Sequence, residues 1–318
     1  MGYRATRRVT ADAPTSARER YTAFRKAQPR SPRLTRRTVR ARGLDFAVFT
    51  TPEVPGMPPL VCVNGGMIYS HALVWPALSP LAASRQLILY DQRGRGASAV
   101  PPAAQQSRIE YDAGDLEALR PALGVERWDV LGHSWGGGIA MLAAARDVLG
   151  VRRLVLVDAV GATSDWIASL HTSALARLDG RERAILEALD PRLLHDDNPE
   201  THAEYSRAIY PAWFADRELG AGFAPPREMS RTGSAVASRL RREGYDWRAE
   251  VGRITASALV LHGAQDLISP TLATATAALI PGANVALIEG SGHMPFWEQP
   301  ALFFAHAQGF LDARDRGA

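Results

Sequence analysis

Residues 132–136 read Gly132-His133-Ser134-Trp135-Gly136, a G-x-S-x-G sequence that stands between two apolar segments. The segment before it, 127–131, is typical of a buried strand, and the small residues of 137–145 are typical of a helix interior. A sharp turn between a strand and a helix leaves no room for a Cβ at either glycine. Such a turn also lifts the Ser134 hydroxyl above the backbone, at the positive end of the following helix. Ser134 is therefore a candidate nucleophile.

Two later loops contain the partners that a nucleophilic serine needs. A serine hydroxyl reacts only when a base removes its proton, and the base needs an acid that orients it. Asp266 follows the strand-like run 258–262, and His293 follows a second run at 285–288. The carboxyl ends of parallel strands lie at one edge of a sheet. We therefore expect Ser134, Asp266 and His293 to meet at this edge.

Three motifs together resemble the α/β-hydrolase superfamily over residues 43–312. The turn at 132–136 resembles its nucleophile elbow, Asn64-Gly65-Gly66-Met67 is similar to its oxyanion loop, and Asp91–Ser98 is similar to its D-x-R-G-x-G-x-S turn. Asn64 stands where the family has histidine, and Met67 stands where the closest branch has proline. That branch is proline iminopeptidase-like, because Gly-His-Ser-Trp-Gly-Gly occurs together with Asp-Gln-Arg-Gly.

The resemblance implies further site residues. The residue after the nucleophile supplies one N–H of an oxyanion hole, which here is Trp135, and the glycine loop supplies the other. Gly66 is the closest match for this second donor, with Met67 as the alternate. Asp266 ends a G-x-x-D sequence like that of the family's acid. Asp158 is the alternative acid, because it also ends a strand and some relatives take their acid from there.

Asp91 and Arg93 are predicted to have a structural role. They belong to the D-x-R-G-x-G-x-S turn, which follows the strand next to the oxyanion loop. We expect them to hold the loop that supports the oxyanion segment.

Hydrophobic patterning predicts a doubly wound, mostly parallel α/β sheet. A hairpin is expected around Gly43, and the parallel strands are expected at 60–63, 86–90, 128–132, 153–157, 258–262 and 285–288. The predicted domains are a core at 35–160 and 251–318 and a helical lid at 161–250. Aromatic residues of the lid are expected to form an apolar pocket wall: Trp166, Tyr205, Tyr210, Trp213, Phe214 and Phe223.

The first 34 residues form a predicted basic arm with a short helix. Residues 1–42 carry a net charge of +11, whereas the whole chain of 318 residues carries +4, so the remainder carries −7. A capping box begins at Ser16, and Tyr21 and Phe24 lie one turn apart after it. We expect the arm to dock through these aromatics on the acidic part of its own chain or on a neighbouring subunit of a homo-oligomer.

Composition and motifs exclude several other classes. No nucleic-acid recognition module is visible, no apolar run reaches the ~20 residues of a membrane span, and the histidines are too scattered for a metal-ligand cluster. The predicted protein is a cytoplasmic serine hydrolase. It acts on an ester, lactone, thioester or amide of a small, partly apolar molecule through an acyl-enzyme, without a cofactor or a metal.

Four alternatives remain open at the level of sequence. One is a proline iminopeptidase-like aminopeptidase, which needs carboxylates for a substrate ammonium; the lid offers Glu182, Glu187, Glu204 and Glu218. The second is an acyltransferase, and the third is a cofactor-free perhydrolase or C–C bond hydrolase, both with the same three residues. The fourth is a non-catalytic ligand receptor on this fold.

Overall fold

The computed structural model describes residues 7–9 and 16–313. Nine strands form one sheet: β1 (Arg7–Val9), β2 (Thr35–Ala41), β3 (Leu44–Thr50), β4 (Leu60–Val63), β5 (Leu87–Tyr90), β6 (Trp128–His133), β7 (Val151–Val157), β8 (Ser257–Gly263) and β9 (Asn284–Ile288). Their order across the sheet is β1-β9-β8-β7-β6-β4-β5-β3-β2. In this order, every neighbouring pair in β1-β9-β8-β7-β6-β4-β5 is parallel. β3 pairs antiparallel with both β5 and β2. The predicted mostly parallel sheet is therefore confirmed.

Twelve α-helices occur among the described residues. They are α1 (Ala17–Ala27), α2 (Ile109–Ala122), α3 (Trp135–Arg146), α4 (Trp166–Arg177), α5 (Gly180–Glu187), α6 (Pro199–Ile209), α7 (Arg217–Gly222), α8 (Arg231–Glu243), α9 (Arg248–Val251), α10 (Pro270–Leu279), α11 (Pro295–Glu298) and α12 (Pro300–Leu311). None of the described helices is long and apolar enough to cross a bilayer.

The sheet has an apolar core on each face. Side chains of a strand alternate between faces, so β4 sends Val61 and Val63 into one core and Leu60 and Cys62 into the other. All four β4 residues are buried. The first core includes residues of α2 and α3, and the second includes residues of α12. Strands buried on both faces explain the continuous apolar runs that mark them in the sequence.

The segment between β7 and β8 holds six helices, α4 to α9. It corresponds to the predicted lid, 161–250, in which amphipathic patterns predict helices at 166–178, 181–189, 203–214 and 227–242. Four of its helices, α4, α5, α6 and α8, begin within four residues of these starts. Of these, α6 starts at Pro199, four residues before its expected start, because the side chain of Asn198 accepts from the Thr201 N–H at 3.0 Å. α7 was not predicted. The division into core and lid domains remains a prediction.

The predicted arm lies only partly within the described residues, which leave out 1–6 and 10–15; of the core range 251–318, residues 314–318 are also outside them. The capping box at Ser16 is confirmed: its hydroxyl accepts from the Glu19 N–H at 3.2 Å, and the Ser16 N–H donates to the Glu19 carboxylate at 3.0 Å. β1 was not predicted, because three residues are too few to show an alternating pattern.

Candidate active site

Ser134 stands at a sharp turn between β6 and α3. Its backbone angles are φ 54° and ψ −121°, an unusual left-handed conformation for a residue with a side chain. A Cβ on Gly136 would lie 2.2 Å from the Val63 carbonyl oxygen, so only glycine fits beside β4. The strained geometry and the glycine requirement are those expected of a nucleophile elbow.

Asp266 and His293 come together at the carboxyl edge of the sheet. Asp266 follows β8, His293 follows β9, and the His293 Nδ1 atom lies 2.7 Å from Asp266 Oδ2. Both residues are buried. His293 also lines the same cavity as Ser134. The three residues that the sequence singled out are thus brought to one site.

Trp213, in the segment between α6 and α7, contacts His293 through both its backbone and its ring. Its carbonyl oxygen accepts from the His293 N–H at 2.8 Å, and its ring lies 4.3 Å from the imidazole, centroid to centroid. The sequence predicted Trp213 only as part of an apolar wall. Its contact with His293 had no signal in the sequence, because it joins residues that are distant along the chain.

The two candidate acids lie close together but differ in partners. Asp158 follows β7, and its carboxylate accepts from the Gly263 N–H at 2.7 Å, away from His293. Burial and the neighbouring Asp266 charge raise the pKa of Asp158 well above its ordinary value. Burial also disfavours the charged form of Asp266, but attraction to His293 and their hydrogen bond lower its pKa overall. Asp266 is therefore the ionised carboxylate at His293.

His262 joins the two aspartates in a buried cluster, although the sequence predicted no grouping of metal-ligand residues. Ligand atoms of Asp158, His262 and Asp266 lie within 4.8 Å of one another. The His262 Nε2–H donates to the Ile268 carbonyl at 2.8 Å, and Asp266 is held by His293. Burial lowers the pKa of His262. The other ring nitrogen, His262 Nδ1, and Asp158 Oδ2 are buried without a hydrogen-bond partner among the described residues.

The predicted oxyanion donors lie on both sides of Ser134. Trp135 is the first residue of α3, a position where the N–H has no acceptor within the helix. Among the described residues, the N–H groups of Gly66 and Met67 donate to no backbone carbonyl. Gly66 has φ +64°, and a Cβ there would lie 2.2 Å from the Tyr69 ring. All three residues line the cavity with Ser134.

The loop at 64–67, which holds the predicted oxyanion donors, is held by Gln92 and Arg95 of the turn at 91–98. The Gln92 side chain donates to the Asn64 carbonyl at 3.0 Å, and Arg95 Nε donates to the Met67 carbonyl at 2.8 Å. Arg95 is itself buried against Asp112, at 2.9 Å. Arg93 pairs with Asp115 of α2, Nε to Oδ2, at 2.6 Å, a contact that fits the structural role predicted for it.

Asp91, the first residue of the turn at 91–98, connects this turn to His71. It accepts from the His71 backbone N–H at 3.0 Å and lies 2.7 Å from His71 Nδ1. Its other oxygen accepts from the Ala97 N–H at 2.8 Å. The structural role predicted for Asp91 is confirmed by these contacts.

A cavity of about 120 Å³ opens onto Ser134. Its wall is mostly apolar and includes six aromatic side chains, Tyr69, Trp135, Trp166, Tyr205, Tyr210 and Trp213. Four of them were predicted from the sequence. Phe214 and Phe223 were predicted as well, but they pack against each other and against Tyr210 outside the cavity. No aspartate or glutamate of the described chain lines the cavity.

Glu298, which the sequence analysis missed, joins the His293 loop to the helical segment. Its Oε2 accepts from the Gly292 N–H at 2.7 Å, and its Oε1 accepts from the N–H groups of Ala215 and Asp216 at 2.7 and 3.0 Å. Burial raises its pKa to about 7, with the Asp266 charge acting in the same direction against these donors. A buried glutamate in a short apolar helix has no signal in the sequence beyond its position.

The amino-acid sequence is similar to that of known hydrolases. The profile of the α/β-hydrolase fold family matches residues 58–300, so the chain belongs to this family. The proline iminopeptidase of Lactobacillus delbrueckii subsp. bulgaricus is 27% identical over 83% of this chain and 92% of its own. The 2-hydroxymuconate semialdehyde hydrolase of Pseudomonas putida is 31% identical over 73% of this chain and 79% of its own.

A solved structure extends these similarities. The proline iminopeptidase of Mycobacterium smegmatis superposes with a TM-score of 0.65 at 24% identity, covering 87% of this chain and 97% of its own. At that identity it shows the fold alone. The curated relatives add the class of reaction: the protein is a hydrolase that lies near the proline iminopeptidase branch.

Proposed function

We propose that this hydrolase cleaves an ester, lactone, thioester or amide bond of a small, partly apolar molecule through an acyl-enzyme on Ser134. The observation that carries the proposal is the 2.7 Å contact between Asp266 and His293 beside the cavity that Ser134 lines. A serine on such a turn, a histidine and an ionised carboxylate are the three groups that serine acyl transfer needs. The cavity's apolar wall and small volume suit a small substrate.

In the proposed reaction His293 accepts the Ser134 proton as the hydroxyl attacks the substrate carbonyl. Asp266 holds the His293 Nδ1–H and stabilises the imidazolium that forms. His293 then protonates the leaving group and activates a water molecule, which releases the acid and regenerates the serine. No cofactor takes part in these steps.

Backbone donors stabilise the tetrahedral intermediate in this proposal. The N–H groups of Trp135 and Gly66 bind the oxyanion, with Met67 as the alternate to Gly66. Within the described chain these N–H groups donate to no backbone carbonyl, so they can bind a developing negative charge without rearrangement. Arg95 and Gln92 position the loop by holding its carbonyl groups.

A fluorophosphonate probe tests the proposal directly. It reacts with an activated serine, so it should label the wild-type protein at Ser134 and leave Ser134→Ala unlabelled. Turnover is then measured on 4-nitrophenyl esters, lactones and prolyl amides. An unlabelled wild type that hydrolyses none of these compounds would favour a ligand receptor over an enzyme of this kind.

The aminopeptidase alternative finds less support in the cavity. An α-ammonium group needs a carboxylate acceptor, and the described lining contains none. Glu187, Glu204 and Glu218 are exposed, and Glu182 is partly exposed outside the cavity. The similarity to proline iminopeptidases is what favours this alternative, and prolyl amides in the substrate panel test it. Partition of the acyl group between water and added alcohols or amines separates hydrolysis from acyl transfer.

A further inference from the structure

Arg241 is a charged side chain on the wall of the cavity, and no aspartate or glutamate of the described residues lines this wall with it. It lies in α8, one turn after Ala237, and both residues line the cavity that opens onto Ser134. Within the described chain, its guanidinium makes one hydrogen bond, Nη1 to the Ala237 carbonyl at 3.3 Å. No carboxylate oxygen of the described residues lies within 4.0 Å of it.

The buried arginines of the sheet core are different. Arg85 lies 2.8 Å from Asp129, Arg93 lies 2.6 Å from Asp115, and Arg95 lies 2.9 Å from Asp112. A guanidinium removed from water loses hydration that only an anion or several hydrogen bonds can replace. The core arginines have that anion within the protein, whereas Arg241 is half-buried on the cavity wall and has no carboxylate partner among the described residues.

The surroundings of Arg241 provide no other compensation. Tyr205 is buried beside it, and burial raises the pKa of this phenol to about 12, so it stays neutral at physiological pH. Burial lowers the pKa of His202 to about 4, so this neighbour is neutral as well. The Tyr205 hydroxyl is already paired with His171 Nδ1 at 2.9 Å. Burial lowers the pKa of Arg241, as expected for a charge without a counter-ion.

We infer that Arg241 binds a carboxylate group of the substrate, so that the enzyme prefers an acyl compound with a free carboxylate over its neutral analogue. A guanidinium matches a carboxylate with two parallel hydrogen bonds, and the apolar wall strengthens this pairing. The absence of acidic residues from the described lining fits the same preference, because nothing there repels an anion. The inference rests on the proposed function and adds the class of its substrate.

A matched pair of esters tests the preference. Mono-4-nitrophenyl adipate carries a free carboxylate, and methyl 4-nitrophenyl adipate is its neutral counterpart with the same scissile bond. The wild type should have the higher kcat/KM for the free acid. Arg241→Gln should lower the ratio of the two kcat/KM values by about 10- to 30-fold, since the ion pair of a half-buried guanidinium loses one partner. Arg241→Lys should restore part of this ratio, because it keeps the charge without the two parallel bonds.

Arg239→Gln is the matched control on the same helix. Arg239 pairs with Glu243 at 2.9 Å and does not line the cavity. Its loss should leave both kcat/KM values and their ratio unchanged. A ratio that falls equally in the Arg239 and Arg241 variants would overturn the inference, because it would then reflect the overall charge of the helix.

Binding without turnover separates this inference from the proposed function. Monomethyl adipate is titrated by calorimetry into Ser134→Ala and into Ser134→Ala with Arg241→Gln. Binding that is lost with Arg241 supports the carboxylate site even where no ester is hydrolysed, which would contradict only the proposed function. Ser134-dependent turnover with no preference for the free acid contradicts only the inference. Absence of both turnover and Arg241-dependent binding contradicts both.

Discussion

Arg95 and Arg241 illustrate how the sheet edge differs from the helical segment between β7 and β8. The guanidinium of Arg95, which follows β5, donates to the Met67 carbonyl, the Arg93 carbonyl and the Asp112 carboxylate. Arg241 has one weak backbone contact and otherwise faces the cavity. The Arg95 guanidinium is thus paired with a carboxylate of the fold, whereas the Arg241 guanidinium has no carboxylate partner among the described residues.

This difference separates chemistry from selectivity. At the sheet edge, strand register and close glycine contacts fix Ser134, Asp266 and His293 in place, whatever the substrate. In the helical segment, Arg241 is proposed to select among substrates. Substitutions at the sheet edge should therefore reduce turnover of every substrate, while those in the helical segment should change the preference between substrates.

The largest effect is expected for Ser134→Ala. We expect turnover of all esters to fall by roughly 10⁴-fold or more, because removal of the nucleophile leaves only the oxyanion donors and substrate binding. The fold should persist, since the turn is shaped by Gly136 and its neighbours. Initial rates with a 4-nitrophenyl ester and the melting temperature check both statements.

Ser169→Ala provides the control for that measurement. Ser169 is an exposed residue of α4 and does not line the cavity. It should keep the wild-type rate. Hydrolysis by Ser134→Ala at a rate near that of this control would end the proposal of serine catalysis.

The second effect compares the two buried aspartates. Asp266→Asn should lower kcat by roughly 10³- to 10⁴-fold, because an amide favours the wrong tautomer of His293. Asp158→Asn should lower it little, because the side-chain oxygen of asparagine can also accept from the Gly263 N–H and the raised pKa of Asp158 favours its neutral form. Rates of the two variants on one ester are compared at the same pH. The reverse ranking would transfer the acid's role to β7 and retain the mechanism.

The third effect concerns Glu298 and the pH dependence of stability. Its pKa is about 7 in the folded protein, against an ordinary value of 4.5. Between these values the unfolded chain releases a proton that the folded protein retains, so the free energy of unfolding decreases as pH rises. From pH 5 to pH 8 the wild type should lose about 2–3 kcal/mol relative to Glu298→Gln. Urea unfolding of both proteins at the two pH values measures this difference.

Glu218→Gln serves as the control, because Glu218 is exposed on α7. Its pH dependence should equal that of the wild type. The histidines with lowered pKa values, His133 and His202, titrate in all three proteins, so their contributions cancel in the comparison. A constant difference between wild type and Glu298→Gln across this range would show that Glu298 is ionised throughout it.

The sequence predicts the sheet edge better than it predicts the helical segment. Strands β4 to β9 and Ser134, Asp266 and His293 could be located, because buried parallel strands are continuous apolar runs and the turn after β6 requires glycine. The contact between Asp266 and His293 follows from both loops leaving the same sheet edge. These features depend on short segments and on a topology that few residues specify.

The rest depends on contacts between distant segments. Arg95 rather than Arg93 reaches the oxyanion loop, and both stand in the same glycine-rich turn, so only the path of that turn decides between them. Glu298 and Arg241 are ordinary charged residues of helices until the fold places one against the Gly292 N–H and the other on the cavity. Periodicity identifies a helix face but not the group that it meets.

The last comparison concerns α1, the described helix of the basic arm. The Tyr21 ring lies 4.6 Å from that of Trp297, and the Phe24 ring stacks on Phe304 at 5.2 Å. Replacing both with alanine removes apolar contacts worth on the order of 1–2 kcal/mol each. The melting temperature should fall by about 5 °C, whereas kcat on a neutral ester should change little, because neither ring lines the cavity.

The paired control separates apolar docking from electrostatic attraction. Arg18 and Lys26 are exposed on the same helix. Alanine at both positions removes two positive charges and keeps both rings. Exposed charges contribute ~0–1 kcal/mol each, so this variant should melt within about 2 °C of the wild type. A larger loss for Arg18 and Lys26 than for Tyr21 and Phe24 would mean that the acidic remainder of the chain holds the arm by charge. Equal melting of all three proteins would mean that α1 adds no stability to the core it covers.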